Sequence, residues 1–195
     1  MLCMGRPKQF DPDAAVEQAM QVFWRKGYAA TTPQDLVDAL GIGKGSLYNT
    51  FGSKHALFER ALVRYRDGQA QALVDLLERS GPVKERLRDA LRLLVELDLG
   101  DPDRRGCLAV NTAAERAMTD EAATELVRRM FDRTEGAFRA LIEEGQRAGE
   151  VASGRDARAI GSQLLATAVG LRLLARVAEG PDRLSRVIDA TIDSL

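Results

Sequence analysis

Histidine and cysteine, on which metal sites, disulfide frameworks and many catalytic sites depend, are nearly absent from the sequence. The 195 residues include one histidine, His55, and two cysteines, Cys3 and Cys107. This set is too small for a disulfide framework and poor as a set of metal ligands. The shortage counts against a metalloenzyme, and we expect neither a metal nor a cofactor.

Long apolar runs and a strong charge excess are also missing. No segment approaches the roughly 20 apolar residues that span a bilayer, and the opening Met-Leu-Cys-Met-Gly-Arg-Pro-Lys lacks the apolar core of a secretion signal. We therefore expect a cytoplasmic protein that does not enter a membrane; either Met1 or Met4 could be its first residue. The net charge of −1 argues against extended coating of nucleic acid. A local basic surface is still possible, because screened charges act over about 8–10 Å.

Strand patterns are missing too, whereas helix signals occur along the whole chain. No alternating run of β-branched and aromatic residues is bounded by turn residues. Helical spacing, Pro at helix starts and Gly at helix ends instead predict an all-α protein of about nine helices with short loops. The predicted helices cover residues 11–26, 32–40, 44–49 and 54–79, a segment between Pro82 and Gly100, and residues 107–117, 120–147, 156–179 and 182–194.

Two of these helices are unusually short and are joined by Gly41-Ile42-Gly43. The second, KGSLYN, is polar where a buried helix would carry leucine. Two short helices around a glycine-containing turn of about three residues predict a helix-turn-helix. In that unit the second helix lies in the DNA major groove, and only one of its faces can be apolar. Leu47 and Phe51, four residues apart, are predicted to hold this helix to the core.

Several other residues are predicted to contact DNA around this unit. The outward face of the second helix would present its polar residues and a glycine that permits close approach. Thr32 begins a helix whose free N–H groups can bind phosphate. A basic arm at the N-terminus could reach a minor groove. Each set has an alternative explanation without DNA contact. Lys44, Tyr48 and Lys54 could be ordinary surface residues, Thr32 could serve only as a helix cap, and Arg6 and Lys8 could belong to a disordered tail. The predicted DNA-binding residues are Arg6, Lys8, Thr32, Lys44, Gly45, Ser46, Tyr48, Asn49 and Lys54.

The segment VFWRKGYAATTPQDLVDALGIGKGSLYNTFGSKHALF resembles the N-terminal DNA-binding domain of the TetR family of transcriptional regulators. Shared features are the Gly-aromatic end of the first helix, the Thr-Thr pair, the Lys-Gly-Ser-Leu-Tyr run and the closing Ser-Lys-x-x-Leu. The resemblance covers roughly residues 5–65; the remainder resembles the family only in length and helix count. The chain departs from the family at His55, often an acid, and at Asn49-Thr50, often a His-Tyr pair. Those departures concern which operator is read.

The resemblance implies a homodimer that places two recognition helices in successive major grooves of near-palindromic double-stranded DNA. It implies a helix-turn-helix domain over residues 1–53 and an effector-binding and dimerisation domain over 54–195. A small molecule in the second domain would weaken operator binding. Repression is the commoner role in the family, but the sequence does not decide between repressor and activator.

The segment RRGCLAVNTAAE is the most distinctive part of the second domain. Cys107, Asn111 and Glu115 recur every four residues, so on a helix they share one face, nearly with Thr112. They could line an effector pocket, or they could be a buried cysteine with two locally bonded polar residues. A thiol that responds to electrophiles or oxidants is a third interpretation. Further candidates for the cavity, each also explained as plain core, are Met118, Met130, Phe131, Phe138, Gln163 and Thr167.

The last two helices carry more apolar surface than one short bundle can cover, which predicts a two-fold interface. Gly161 and Gly170 would weaken an isolated helix by about 1 kcal/mol each, which close helix–helix approach would offset. The alternative is that these helices only complete the subunit's own core. The predicted interface residues are Leu164, Leu171, Leu174, Leu184, Val187 and Ile188.

Two other classes of protein compete with a ligand-responsive DNA-binding regulator. One is a helical-bundle enzyme with Cys107, Asn111 and Glu115 as its site, but these residues have no histidine partner. The other is a helical adaptor that has lost DNA binding, which the intact Lys44-to-Lys54 segment disfavours.

Overall fold

The structure, a computed structural model, describes residues 10–195, apart from the side chains of Gln69 and Ala70. Arg6 and Lys8 lie outside this range. Within it all regular structure is helical, so the predicted all-α class is confirmed. The helices are α1 (Pro12–Lys26), α2 (Pro33–Leu40), α3 (Lys44–Phe51), α4 (Lys54–Tyr65), a π-helical turn (Arg66–Ala70), α5 (Gln71–Leu77), α6 (Val83–Gly100), α7 (Leu108–Arg116), α8 (Glu121–Ala148), α9 (Ala157–Ala175) and α10 (Asp182–Asp193).

The helix predicted over 54–79 is present as α4, the π-helical turn and α5, which follow one another without a break. The chain forms two compact units, one ending at Arg64 and the other covering Tyr65–Leu195. The sequence predicts a division at residue 53. The later division reflects packing of α4 on α1, where the rings of Phe58 and Phe23 meet edge to face with centroids 5.0 Å apart.

The start and end of α2 follow directly from local sequence. The Thr32 hydroxyl accepts a hydrogen bond from the Asp35 backbone N–H at 3.2 Å, and the Asp35 carboxylate accepts one from the Thr32 N–H at 2.8 Å. This is the reciprocal capping box that the sequence predicts. Gly41 ends the helix with φ +62°, a conformation that other residues adopt only with strain.

The core of the C-terminal unit is built from α6, α8, α9 and α10 around Phe138, Leu91 and Leu171. Gly161 lets α9 approach α8 closely, since a Cβ there would lie 3.2 Å from the Arg139 Cβ and 3.3 Å from its backbone. That confirms the predicted close approach at Gly161. A Cβ at Gly170 would have no neighbour within 4 Å in the subunit, so close approach at Gly170 stays a prediction for the dimer interface.

Substitution of Gly106 by alanine is expected to destabilise the protein by about 1–3 kcal/mol. Gly106 has φ +65°, and a Cβ would lie 3.0 Å from the Arg176 Cδ and 3.4 Å from the Arg172 carbonyl oxygen. Urea denaturation would measure the loss. The matched control is Gly154→Ala, where a Cβ meets nothing within 4 Å. Equal stability of the two variants would contradict this account of Gly106.

Candidate DNA-binding helix and ligand cavity

The short polar helix α3 is anchored by one apolar face, as the sequence predicts. Leu47 is 2 % exposed and Phe51 is 3 % exposed. The Arg60 guanidinium lies over the Phe51 ring, 5.5 Å from its centroid. The centroids of the Phe51 and Phe10 rings are 6.4 Å apart. The helix is therefore fixed to the N-terminal unit along one side only.

The opposite side of α3 is open. Lys44, Gly45, Ser46 and Asn49 are exposed, and Tyr48 is half-buried. A Cβ built at Gly45 would have no neighbour within 4 Å, so the backbone is accessible there. The helix starts without a side-chain cap. Its first N–H groups are thus left for an external acceptor such as a phosphate oxygen.

Thr32, predicted to contact phosphate, is exposed but already serves as a cap. Its hydroxyl lies 2.9 Å from the Asp35 carboxylate, which also receives the Lys26 ammonium at 2.6 Å. The hydrogen bond from Lys26, with those from Thr32, lowers the pKa of Asp35 to about 2. Because this pKa lies below the ordinary value for aspartate, ionised Asp35 stabilises the folded protein. This contribution is present above about pH 4 and is lost as the pH falls toward 2.

Lys54 is among the residues that the sequence predicts to contact DNA, and the structure places its ammonium in the loop between α1 and α2. It donates to the Tyr28 carbonyl at 2.9 Å and the Thr31 carbonyl at 2.8 Å, and it lies 4.1 Å from the Tyr28 ring centroid. Lys54 thus fixes the loop that leads into α2. No periodicity in the sequence reveals this role, because it depends on carbonyl groups 26 and 23 residues away.

Replacing Lys54 by methionine is expected to lower the free energy of unfolding by about 1.5–3 kcal/mol, since hydrogen bonds to charged groups are lost. Lys44→Met is the matched control, because Lys44 is exposed. It is expected to change stability by less than about 0.5 kcal/mol. Thermal denaturation of both variants tests the assignment. A Lys54→Met protein as stable as the control would show that these contacts do not hold the loop.

The C-terminal unit contains a mainly apolar cavity of about 60 Å³. Two residues predicted to bind an effector, Cys107 and Met130, line it, as does Phe131. The complete lining is Tyr65, Leu73, Leu94, Cys107, Ala109, Val110, Met130, Phe131, Thr134, Leu165, Val169 and Arg172.

None of the other candidates from the Cys107 segment lines this cavity. Cys107 is the N-cap of α7 with an extended backbone (φ −97°, ψ 122°), so a four-residue spacing does not place it on one helical face with later residues. Asn111 donates to the Arg105 carbonyl and accepts from Arg176. Thr112 is buried outside the lining, and Glu115 is exposed.

The candidates from later helices also differ in position. Phe138 is fully buried in the core rather than at the cavity. Gln163 is exposed, and the Thr167 hydroxyl donates to the Gln163 carbonyl at 2.9 Å. Met118 is almost fully exposed. Helical spacing identified apolar and polar residues here but not which of them face the cavity.

A polar network that sequence reasoning missed forms one wall of the cavity. The Tyr65 hydroxyl donates to the Cys107 Sγ at 3.2 Å and accepts from the Arg172 guanidinium at 3.3 Å. Arg172 also donates twice to the Asp98 carboxylate, at 2.9 and 2.6 Å. A signal did exist, because Asp98 continues the buried stripe of Leu87, Leu91, Leu94 and Val95 at helical spacing.

Burial governs the ionisation of this network. It raises the pKa of the Tyr65 phenol, so the hydroxyl remains a donor. Burial acts to lower the pKa of Arg172, but Cys107, Tyr65 and Asp98 outweigh it and raise that pKa well above its ordinary value. The guanidinium therefore stays charged, and the Asp98 carboxylate neutralises it.

The two halves of the chain match two family models in order. Residues 15–61 match the model for bacterial regulatory proteins of the tetR family, and residues 84–191 match the tetracyclin repressor-like C-terminal domain. The chain belongs to the TetR family. It is 34 % identical over 194 residues to the uncharacterised HTH-type transcriptional regulator YezE of Bacillus subtilis (strain 168), covering 98 % of this chain and all of YezE.

Two further TetR-type proteins add information about the role. The HTH-type transcriptional repressor ComR of Escherichia coli (strain K12) is 27 % identical over 96 % of this chain and 90 % of its own length. A cysteine mutant of the TetR regulator CifR, solved with 26-bp double-strand operator DNA, is 29 % identical with a TM-score of 0.86, covering 97 % of this chain and 99 % of that chain. TetR regulators are DNA-binding transcription factors and not enzymes, so the helical-bundle enzyme is excluded.

TetR regulators bind double-stranded DNA as homodimers, and the structure corrects which residues are available for a dimer interface. Leu164, Leu171, Leu184 and Ile188 are at most 1 % exposed and face the subunit's own core. Of the predicted interface residues, Leu174 and Val187 remain exposed, together with Leu173 and Val177. Every helix in the described residues is too short or too polar to cross a bilayer.

Proposed function

We propose that this TetR regulator is a cytoplasmic repressor that leaves its operator when a small molecule occupies the cavity of the C-terminal unit. The observation that carries the proposal is helix α3, whose polar side is exposed while Leu47 and Phe51 are buried. A helix built this way suits the major groove. The similarity to the repressor ComR along nearly the whole chain supports repression rather than activation.

Contacts with DNA would divide between phosphate and base edges. Lys44 and Tyr48 would bind backbone phosphates, whereas Ser46 and Asn49 would face base edges. Gly45 would let the helix backbone approach the duplex. Arg6 and Lys8 are proposed for the adjacent minor groove. Thr32 would contribute through the N-terminus of α2 while its hydroxyl remains in the capping box.

Dimerisation would double these contacts and set their spacing. We assign the interface to the exposed apolar side of α9 and its continuation, Leu173, Leu174 and Val177, with Val187 of α10. Gly170 belongs to the same strip and offers space for a close helix crossing. A two-fold axis through this strip would present two α3 helices to one near-palindromic site.

Release by a ligand requires that the ligand bind one conformation of the dimer more tightly than the other. A molecule with equal affinity for the DNA-binding and free conformations would not change operator occupancy. The cavity is suited to such a role because it is lined mainly by apolar groups and contains few polar ones.

Fluorescence anisotropy with a labelled fragment from the protein's own upstream region tests DNA recognition. The double variant Lys44→Ala, Tyr48→Ala is expected to lose at least about 100-fold in affinity, because hydrogen bonds to charged groups contribute about 1.5 kcal/mol or more each. The matched control is Arg128→Ala with Arg129→Ala, two exposed cations on α8.

The same measurement distinguishes the proposed repressor from the remaining alternative, a helical adaptor that has lost DNA binding. Tight binding that survives competitor DNA and depends on Lys44 and Tyr48 supports the repressor. Absence of specific binding to any upstream fragment, or equal losses in the test and control variants, would favour the adaptor.

A further inference from the structure

The charges at the cavity are already balanced. Arg172 and Asp98 form a two-pronged ion pair, and the side chains of both are largely buried. A bound anion would add a second negative charge beside a guanidinium that Asp98 already neutralises. A bound cation would lie beside the Arg172 guanidinium, whereas the Asp98 carboxylate that pairs with Arg172 does not line the cavity. Because burying an unpaired charge is costly, the site favours an uncharged molecule.

The size of the cavity limits the molecule further. The cavity of about 60 Å³ is well below the roughly 300–1,000 Å³ of pockets that hold drug-sized ligands, so it suits a molecule of only a few non-hydrogen atoms. Seven of the twelve lining residues have aliphatic or thioether side chains: Leu73, Leu94, Ala109, Val110, Met130, Leu165 and Val169. A small, largely aliphatic molecule therefore suits this wall.

One polar group in the cavity can change partner at small cost. The Tyr65 hydroxyl donates to the Cys107 sulfur, and a thiol sulfur is a weak acceptor. The Arg172 N–H that binds the phenol oxygen polarises the O–H and strengthens it as a donor. A carbonyl oxygen would be a better acceptor than the sulfur, and the rest of the network could stay in place.

We propose that the cavity takes a small, uncharged, aliphatic carbonyl compound whose oxygen replaces the Cys107 sulfur as acceptor of the Tyr65 O–H. This inference rests on the proposed function in taking the cavity as the effector site. It assigns Tyr65 as the residue that recognises the ligand and Arg172 as the residue that positions Tyr65. Binding is reversible and needs no covalent step.

Binding of butanone to the full-length protein tests this assignment, with butanoate as the charged counterpart of similar size. The protein is labelled with ¹³C in its methionine methyl groups, because Met130 lines the cavity whereas Met20 lies in the N-terminal unit. Butanone is expected to shift the Met130 signal saturably and leave Met20 unchanged, and butanoate is expected to shift neither. Butanoate binding as tightly as butanone, or no saturable Met130 shift with butanone, would overturn the proposal.

Two variants identify the hydrogen bond. Tyr65→Phe keeps the ring and is expected to weaken butanone binding about 3- to 10-fold, the usual effect of one hydrogen bond. Cys107→Ala removes the competing acceptor, so binding is expected to be unchanged or tighter. Loss of binding in Cys107→Ala would overturn the proposal, as would full affinity in Tyr65→Phe.

Operator binding is followed separately, so that the two proposals can fail independently. If butanone binds as described but leaves the operator complex intact, the ligand class stands and ligand-induced release fails. If butanoate occupies the cavity and releases the operator while butanone does neither, release stands and the ligand class fails.

Discussion

Replacing Arg172 by leucine is expected to lower the free energy of unfolding by about 3–5 kcal/mol, the usual cost of removing one partner of a buried ion pair. The Asp98 carboxylate, 3 % exposed, would be left without its two guanidinium hydrogen bonds. Tyr65 would also lose the donor that binds its oxygen. Urea denaturation of the full-length protein measures the change.

Two further variants test whether the loss of stability in Arg172→Leu comes from the unpaired charge of Asp98 rather than from substituting an arginine as such. Arg129→Leu breaks an exposed ion pair with Glu125 and is expected to cost less than about 1 kcal/mol. The double variant Arg172→Leu, Asp98→Leu is expected to recover most of the stability, because no unpaired charge remains. A double variant as unstable as Arg172→Leu would contradict the electrostatic explanation.

Replacing Leu173 and Val177 together by aspartate is expected to convert the dimer to a monomer and to weaken operator binding by about 100-fold or more, because linked binding to two half-sites is lost. Leu173 is 52 % exposed and Val177 is 80 % exposed in the subunit. Four carboxylates would then face one another across a two-fold axis. Light scattering gives the molar mass, and anisotropy gives the affinity.

Met118→Asp is the control for an added surface charge, since Met118 is 94 % exposed on another part of the C-terminal unit. It is expected to leave both the molar mass and the DNA affinity unchanged. If the Leu173, Val177 double variant remains a dimer, the interface lies elsewhere on the subunit.

The DNA-binding helix could be predicted from sequence because its signals are local. Gly41 and Gly43 mark the turn, and Leu47 and Phe51 fall on one side of a short helix whose other residues are polar. The capping box of Thr32 and Asp35 needs only a three-residue spacing. None of these features depends on how distant parts of the chain meet.

The residues of the dimer interface and of the cavity could not be predicted as well as those of the DNA-binding helix. Helix α9 is apolar around much of its circumference, so its sequence does not show that Leu171 faces the core while Leu173 faces outward. The network of Tyr65, Asp98 and Arg172 joins positions far apart in the chain. The prediction that Cys107 shares a helical face with Asn111 and Glu115 is wrong for a different reason, because Cys107 precedes α7 and has an extended backbone.

Hydroxyl-radical footprinting of the protein on its own upstream DNA tests the central claim most directly, namely that a dimer inserts two α3 helices into successive major grooves. The account predicts two protected half-sites related by a dyad, with centres about 10 base pairs apart or a multiple of that spacing, and loss of both in the Lys44→Ala, Tyr48→Ala variant. A single protected half-site, or protection that persists unchanged in that variant, would contradict it.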